Sequence, residues 1–401
     1  MVHKRMYRSG QVVWHYVFSL PGSTRQNRQR ITGSGFATKG EALDAEVARR
    51  IQEQQKQKLR LTAGSVDQIP KTLAMLLEEF FRQHVDEKLA PKTVERYHEQ
   101  SAYLDPTLLN LSIKEITPLH LGREWQRLLH SGGHHRQTRA PRPLSAKTVR
   151  NVAGVLSSAF ARAVKWGLLS RNPVPDSEPP VPKKHHGMAL APPQQRLLLD
   201  SAAGPWWLPM LLEMAAATGA RRGEVLALRW SDIQDGRATI ARSLTQTNTL
   251  LEFKCTKSDN PHVVGLPTST LATLEEHRRR QDRFRQQFGP DYRAALDLIF
   301  ANPDGTPLKP DSVSATVSVL CRRLKLPPGV SLHTLRHTHG SHLLANGVPL
   351  PVVSARLGHS SVRVTADIYS HAIHGQDDEA ARKWEEFQGR NAEPKAIGGV
   401  Q

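Results

Sequence analysis

The chain has 401 residues, enough for two or three domains, and 55 Lys and Arg against 37 Asp and Glu give a formal net charge of +18. This excess favours a polyanionic partner such as nucleic acid, because each phosphate that a cation neutralises releases condensed counterions. Only two cysteines occur and no apolar run reaches membrane-spanning length, which excludes a disulfide scaffold and a membrane span, so we expect a cytoplasmic protein without a secretory signal.

The first stretch, residues 1–62, predicts a small β-sheet followed by one helix. Residues 11–20 are rich in β-branched and aromatic side chains, which is typical of a strand. After a Pro-Gly turn, residues 28–32 predict a returning strand, and the two glycines within residues 33–35 predict another turn.

The helix of this first stretch is predicted from its start signal. Thr38 with Glu41 three positions later is a capping-box pattern, and the helix is expected to reach about residue 58. Residues 61–70 then predict a linker. Basic residues crowd the predicted sheet: Lys4, Arg5, Arg8, Arg25, Arg28 and Arg30. They suit a DNA-binding sheet, although solvated charges around a small core would look the same.

Residues 71–172 predict an all-helical domain. Apolar side chains recur at helical spacing in its first helix and in its last helix, which opens at Ser145 and extends to Trp166. Thr117 is a typical N-cap before Pro118.

Candidate DNA contacts in this domain stand near predicted helix starts, where the backbone N–H groups favour phosphate. They are Lys92, Arg96, Lys147 and Arg150. A proline-rich linker over residues 173–192 adds Lys183 and Lys184. Taken singly, each of the helix-start residues is more simply explained as an ordinary surface charge.

Residues 193–375 predict a third domain. The apolar run 206–218 predicts a buried helix, and a short helix follows in which Arg221 and Glu224 share a face. Three strands are then expected, over the ranges 237–242, 250–255 and 263–266. The turn between the last two strands holds Lys257.

A second cluster follows in the same domain. His333 and Arg336 share one face of a predicted helix that stops at Asn346–Gly347, and the next short helix stops at Gly358, just before His359. Tyr369 lies on a further amphipathic stretch. An arginine, two histidines and a tyrosine on adjacent short helices can converge on one phosphate, and arginine suits the planar array of phosphate oxygens.

These motifs carry a resemblance to a known family. The pattern His-x-x-Arg-His, then Leu-Gly-His-Ser-Ser, then Tyr, resembles the C-terminal signature of the tyrosine recombinases, the phage integrase family. Upstream, Thr218-Gly-Ala-Arg-Arg-Gly-Glu-Val-Leu-Ala-Leu-Arg-Trp230 is similar to the first arginine box of that family. The boxes occur in the expected order and together cover most of residues 190–375.

The resemblance implies a role for each matched residue. Tyr369 would be the nucleophile that forms a 3′-phosphotyrosyl link, and Arg221, Arg336, His333 and His359 would hold the phosphate, with His333 also placed to accept the tyrosine proton. Lys257 would be the general acid for the leaving 5′-oxygen, and Glu224 would orient basic side chains. No cofactor is implied. The alternatives are Arg222 for Arg221 and Lys254 for Lys257.

Two other interpretations of these residues remain open. Six histidines between His333 and His371 could indicate a metal site, but the spacing of zinc ligands is absent and carboxylates are scarce nearby, so we expect no metal. Tyr369 by itself would more often be a core aromatic residue.

The resemblance also implies an architecture and partners. We expect a multidomain, mainly α protein with small β-sheets: an arm-type DNA-binding domain (1–62), a helical core-binding domain (71–172), a linker (173–192), a mixed α/β catalytic domain (193–375) and a tail (376–401). The partners would be double-stranded DNA attachment sites, three further copies in a homotetramer and DNA-bending accessory proteins. The expected function is integration or excision of a phage or mobile element. A type IB topoisomerase-like enzyme and a non-cleaving DNA-binding protein are the alternatives.

Overall fold

The structure is a computed structural model that describes residues 2–6, 12–19, 30–63, 69–134, 140–183, 187–255, 261–373 and 377–391. The chain divides into two compact units. The first comprises residues 1–184 with 247–249, and the second comprises residues 185–246 with 250–401.

The first unit begins with a three-stranded antiparallel sheet and one helix. They are β1 (Val2–Met6), β2 (Val12–Ser19), β3 (Arg30–Phe36) and α1 (Lys39–Ala63), with strand order β1-β2-β3. Tyr16 and Phe18 of β2 and Ala42 of α1 are buried. The capping box was predicted correctly, because the Glu41 carboxylate accepts from the Thr38 backbone N–H and the Glu41 N–H donates to the Thr38 hydroxyl.

The turn predicted at residues 33–35 is wrong. These residues lie inside β3, where Gly33 pairs with Tyr16 of the neighbouring strand. A Cβ at Gly33 would lie 2.4 Å from the Tyr16 ring. The glycine therefore makes room for a cross-strand aromatic side chain and does not mark a turn. Strand β1 was not predicted.

The rest of the first unit is mainly helical, as predicted, with one two-stranded sheet that the prediction of an all-helical domain did not include. Its elements are α2 (Leu73–Phe80), α3 (Asp86–Lys88), α4 (Pro91–Ser101), α5 (Pro106–Asn110), α6 (Pro118–Ser131), the short strands β4 (Gly133–His134) and β5 (Pro141–Arg142), and α7 (Ala146–Lys165). A π-helical turn over Phe81–Val85 joins α2 to α3. The predicted caps Thr117 and Ser145 both accept backbone hydrogen bonds at their helix starts. Trp125, Phe80 and Phe160 are fully buried in the core.

The second unit surrounds a buried helix. Its helices are α8 (Pro192–Asp200), α9 (Leu208–Thr218), α10 (Arg222–Leu226), α11 (Thr268–Phe288), α12 (Pro310–Arg323), α13 (Leu332–Ala345), α14 (Leu350–Arg356), α15 (Val362–Ile373) and α16 (Asp377–Asn391). Apolar side chains on all sides of α9 are buried, including Leu211, Leu212 and Met214, so this helix forms the centre of the core.

Two small antiparallel sheets complete the second unit. Their strands are β6 (Ile233–Gln234), β7 (Arg237–Ile240), β8 (Arg242–Gln246), β9 (Leu251–Cys255) and β10 (His262–Gly265). β10 pairs with β7, which also pairs with β6, and β9 pairs with β8. The single predicted strand 237–242 is therefore two strands. β9 and β10, predicted as neighbouring strands on either side of Lys257, therefore belong to different sheets.

No helix in the described part of the chain is long and apolar enough to cross a membrane.

Candidate active site

The arginine at the centre of the site is Arg336. It lies on α13, which begins after Ser331, and its side chain is only 3% exposed. Its guanidinium donates to the Gly219 carbonyl at 2.9 Å and to the Leu357 carbonyl at 2.7 Å. Desolvation by burial and the neighbouring charge of Arg221 lower its pKa to about 10. The group therefore keeps its charge at neutral pH and is held in one orientation by the ends of α9 and α14.

Arg221 lies next to this group because Gly219 ends α9 in a left-handed conformation (φ 64°) and the chain turns into α10. The Arg221 guanidinium donates to one oxygen of Glu224 at 2.8 Å, and its backbone N–H donates to the other at 2.8 Å. Glu224 is buried. The carboxylate therefore fixes both the helix start and the side chain of Arg221, while the guanidinium stays partly open to solvent.

The neighbouring Arg222 points elsewhere. Its guanidinium donates to the Pro310 carbonyl at 3.0 Å and to the Ser314 hydroxyl at 2.6 Å, both on α12. Its charge is not among those that perturb Arg336, whereas the charge of Arg221 is. Of the two arginines, Arg221 therefore adjoins Arg336 and Arg222 packs on α12.

Two histidines adjoin the arginines. His359 follows Gly358, whose φ of 62° lets the chain leave α14, and its Nδ1 lies 2.7 Å from the Thr365 hydroxyl. Desolvation by burial lowers the pKa of His359 to about 4, and the positive charges of Arg336 and Arg221 contribute to this decrease. His333 is exposed, yet partial desolvation and the same two charges also lower its pKa. Both imidazoles are therefore neutral at pH 7 in the free protein and can accept a proton or share a hydrogen bond.

Tyr369 is buried on α15, with 1% of its surface exposed. Its hydroxyl donates to the main-chain carbonyl of Arg336 at 3.3 Å. The ring lies against Gly340, where a Cβ would come within 2.5 Å of it. Burial raises the pKa of Tyr369, and the charge of Arg336 opposes that rise. In this conformation the hydroxyl therefore faces the α13 backbone.

His262, at the start of β10, also adjoins the two arginines, although its sequence context does not indicate this. Burial lowers its pKa, and the charges of Glu224, Arg336 and Arg221 also act on it. Its ring lies against Gly358, where a Cβ would be 2.6 Å from Cε1, and its buried Nε2 has no hydrogen-bond partner among the described residues. In the sequence, His262 lies five residues after Lys257, which does not by itself place it in the site. Only the tertiary structure brings β10 against Gly358, the residue before His359.

Of the two candidate lysines, only Lys254 lies among the described residues. Lys257 lies outside the described residues, so its predicted role stays a prediction. The alternative, Lys254, is on β9 and forms an ion pair with Glu252 at 3.4 Å.

The candidate DNA contacts belong to the first unit. Lys183, Lys147 and Arg96 are exposed, whereas Lys184 lies outside the described residues. Lys92 forms an ion pair with Glu95, and the Arg150 guanidinium donates to the Pro179 carbonyl at 3.0 Å. Arg150 therefore has an intramolecular role that its sequence position did not indicate.

Two further histidines of α13 contact residues outside the group around Arg336 and Tyr369. His339 accepts from Arg356 Nε at 2.9 Å, and His342 Nε2 lies 3.0 Å from the Leu190 carbonyl. Within the described ranges, no three His, Cys, Asp or Glu side chains form a group that could hold a metal ion.

Comparison with known proteins agrees with this arrangement. Residues 190–375 match the model of the phage integrase family. The tyrosine recombinase XerC-like protein of Caldanaerobacter subterraneus subsp. tengcongensis is 26% identical over 331 residues, which are 77% of this chain and 81% of the relative. The ICEBs1 integrase of Bacillus subtilis is 28% identical over 249 residues, or 61% of this chain and 67% of the relative.

Two solved structures share the fold. The Tn1549 transposon integrase in complex with a circular intermediate DNA superposes with a TM-score of 0.62 at 16% identity, covering 79% of this chain and 100% of that chain. A lambda integrase tetramer bound to a Holliday junction superposes with a TM-score of 0.55 at 17% identity, covering 89% of this chain and 95% of that chain.

Proposed function

The chain belongs to the tyrosine recombinases through its phage-integrase-family domain at residues 190–375, and on that premise we propose that it breaks and rejoins DNA at specific sites through Tyr369. The observation that carries the proposal is the arrangement around Arg336. Its charge lowers the pKa of His333 and of His359, and the charge of Arg221 lowers its own pKa. The Tyr369 hydroxyl donates to its main-chain carbonyl. The catalytic roles below are part of this proposal.

In the proposed reaction, the Tyr369 oxygen attacks the phosphorus of a DNA phosphodiester as its proton passes to His333. The bond from phosphorus to the 5′-oxygen breaks as Lys257 donates a proton to that oxygen, and a 3′-phosphotyrosyl link and a free 5′-hydroxyl result. Arg221 and Arg336 stabilise the negative charge that grows on the non-bridging oxygens. His359 adds a hydrogen bond. Because the phosphotyrosyl link conserves the free energy of the phosphodiester bond, the 5′-hydroxyl of a second DNA strand can attack that link and rejoin the DNA without ATP.

The proposed reaction must also account for the raised pKa of the buried Tyr369 hydroxyl. The free pKa of tyrosine is about 10, and burial raises that of Tyr369 further in the free protein. Bound DNA supplies the in-line phosphorus, and the neutral His333 supplies an acceptor for the proton. We therefore place the release of Tyr369 from the Arg336 carbonyl after DNA binding.

We propose integration or excision of a mobile element as the biological role. Relatives of this chain include the ICEBs1 integrase and the integrase of Staphylococcus phage L54a, which is 28% identical over 185 residues. The basic sheet of residues 1–62 is proposed to bind arm-type DNA sites, residues 71–172 and 193–375 to bind the core site, and residues 173–192 to link them. DNA-bending accessory proteins would serve such arm sites.

The direct test is to trap the covalent complex. The protein is incubated with nicked suicide duplexes that carry candidate attachment sequences, and a protein–DNA adduct is measured on a denaturing gel. An adduct that requires a specific sequence supports a recombinase, and one formed on any duplex favours the topoisomerase-like alternative. Binding without any adduct favours the non-cleaving DNA-binding protein.

We expect Lys257→Ala to slow cleavage of ordinary DNA by about 10²-fold or more, and to slow cleavage of a 5′-thio substrate much less, because a thiolate leaves without a proton. The measurement is the single-turnover rate on both substrates. Lys254→Ala tests the alternative acid, since Lys254 lies on β9 and forms an ion pair with Glu252. Equal slowing of both substrates by Lys257→Ala would move the acid role to another residue.

We propose that the tail docks on a neighbouring copy in a homotetramer. Trp384 of α16 is 59% exposed, and so large an exposed apolar side chain suits a partner surface. Removal of residues 375–401 should therefore lower the yield of synaptic tetramers on DNA while single-site binding stays within about twofold. The alternative is packing on the tail's own domain. An unchanged tetramer yield, measured by native gel or light scattering, would contradict docking in trans.

A further inference from the structure

A short segment that precedes α8 is docked along the helix that carries His333 and Arg336. The Leu190 N–H donates to the Thr338 hydroxyl at 2.9 Å, and the Leu190 carbonyl lies 3.0 Å from His342 Nε2. The Leu190 side chain is buried in the core of the second unit. Residues 187–190, the docked segment, are therefore held on α13 by hydrogen bonds to both backbone polar groups of Leu190 and by its buried side chain.

At the other end of the docked segment, the backbone of Gly187 meets the side chain of His337. A Cβ on Gly187 would lie 2.4 Å from Nδ1 and 2.5 Å from Cε1 of that imidazole. Side chains do not approach so closely, so position 187 accommodates only a residue without a Cβ unless the ring moves. The docked segment therefore limits where the His337 ring can lie.

The His337 ring also contacts two residues of the proposed chemistry. Its centroid is 4.7 Å from that of His333, with the rings perpendicular at 89°, and 5.9 Å from that of Tyr369, at an angle of 57°. Edge-to-face and tilted pairs at these separations are the favoured aromatic geometries. One partly buried ring thus touches the docked segment, the proposed proton acceptor and the proposed nucleophile.

We infer that His337 is a positioning residue for strand cleavage: held by the docked segment, its ring sets the orientations of His333 and Tyr369. The inference rests on the proposed function of those two residues. His337 neither binds the phosphate nor transfers a proton in this scheme. Its contribution is geometric, and a displacement of about 1 Å at reacting groups can cost about 10²-fold in rate.

The first test is Gly187→Ala, which removes no group and adds one methyl against His337. We expect single-turnover formation of the covalent adduct on a suicide duplex to slow by about tenfold or more, while duplex affinity stays within about twofold. Gly265→Ala is the matched control in the same unit, because nothing lies within 4 Å of a Cβ built there. It should cleave at the wild-type rate.

The second test compares His337→Ala with His337→Phe. Phenylalanine keeps a ring against His333 and Tyr369, so it should recover most of the rate that alanine loses. In His337→Ala the pH dependence of cleavage should also shift, because the surroundings of His333 change. Thermal unfolding of each variant shows whether a slow rate comes from a loss of fold.

Cleavage by Gly187→Ala at the wild-type rate would overturn the inference. So would equal rates for His337→Ala and His337→Phe with unchanged pH profiles. Failure of the proposed function would look different from failure of this inference, because the wild type itself would then form no adduct through Tyr369. In that case the inference would also be wrong.

Discussion

Tyr369→Phe should abolish the covalent protein–DNA adduct and leave DNA binding almost unchanged. Phenylalanine lacks the oxygen that would form the phosphotyrosyl link, while the affinity for DNA comes mainly from basic contacts elsewhere. The lost hydrogen bond to the Arg336 carbonyl is long, at 3.3 Å, and its removal should cost about 1 kcal/mol or less of unfolding free energy. The measurements are adduct yield on a suicide duplex and affinity on the same duplex.

Tyr292→Phe is the control for this substitution. Tyr292 is a second buried tyrosine of the same unit, and its hydroxyl accepts from Gln281 at 2.8 Å, a residue that has no place in the proposed chemistry. This variant should form the adduct as the wild type does. An adduct with Tyr369→Phe would show that another residue is the nucleophile. If neither the wild type nor the variant forms one on a verified site, the non-cleaving alternative is favoured.

The second large effect is expected for Arg336→Lys. An ammonium cannot donate in two fixed directions to the Gly219 and Leu357 carbonyls and also present a planar fork to the phosphate. Cleavage should slow by about 10²- to 10³-fold. Because one buried carbonyl loses its charged donor, stability should fall by about 2 kcal/mol. Single-turnover cleavage and chemical denaturation measure the two effects.

Arg356→Lys separates catalysis from stability. Arg356 also clamps two carbonyls, those of Ala217 at 2.8 Å and Gly265 at 3.0 Å, and it donates to His339. None of these partners is placed in the chemistry. The variant should lose similar stability but retain cleavage per folded molecule. If both variants lost cleavage in proportion to stability alone, Arg336 would be structural and its phosphate role would be wrong.

Local patterns in the sequence determined much of the second unit. The spacing of His333 and Arg336 predicts a shared helical face, and α13 carries both. Glycine stops predict where α9 and α14 end, and Gly219 and Gly358 have the left-handed φ values that such ends require. These features were predictable because each depends on residues within one or two helical turns.

The tertiary structure alone decided which neighbours those side chains meet. Arg221 and Arg222 are adjacent in sequence, yet one contacts Glu224 and the other contacts α12, because α10 turns their side chains to different surfaces. His262 joins the site only because β10 pairs with β7 and brings its ring against Gly358. The contact of Gly187 with His337 likewise joins residues 150 positions apart in sequence. Such contacts follow from packing across elements that are distant in the chain, which periodicity and capping signals do not encode.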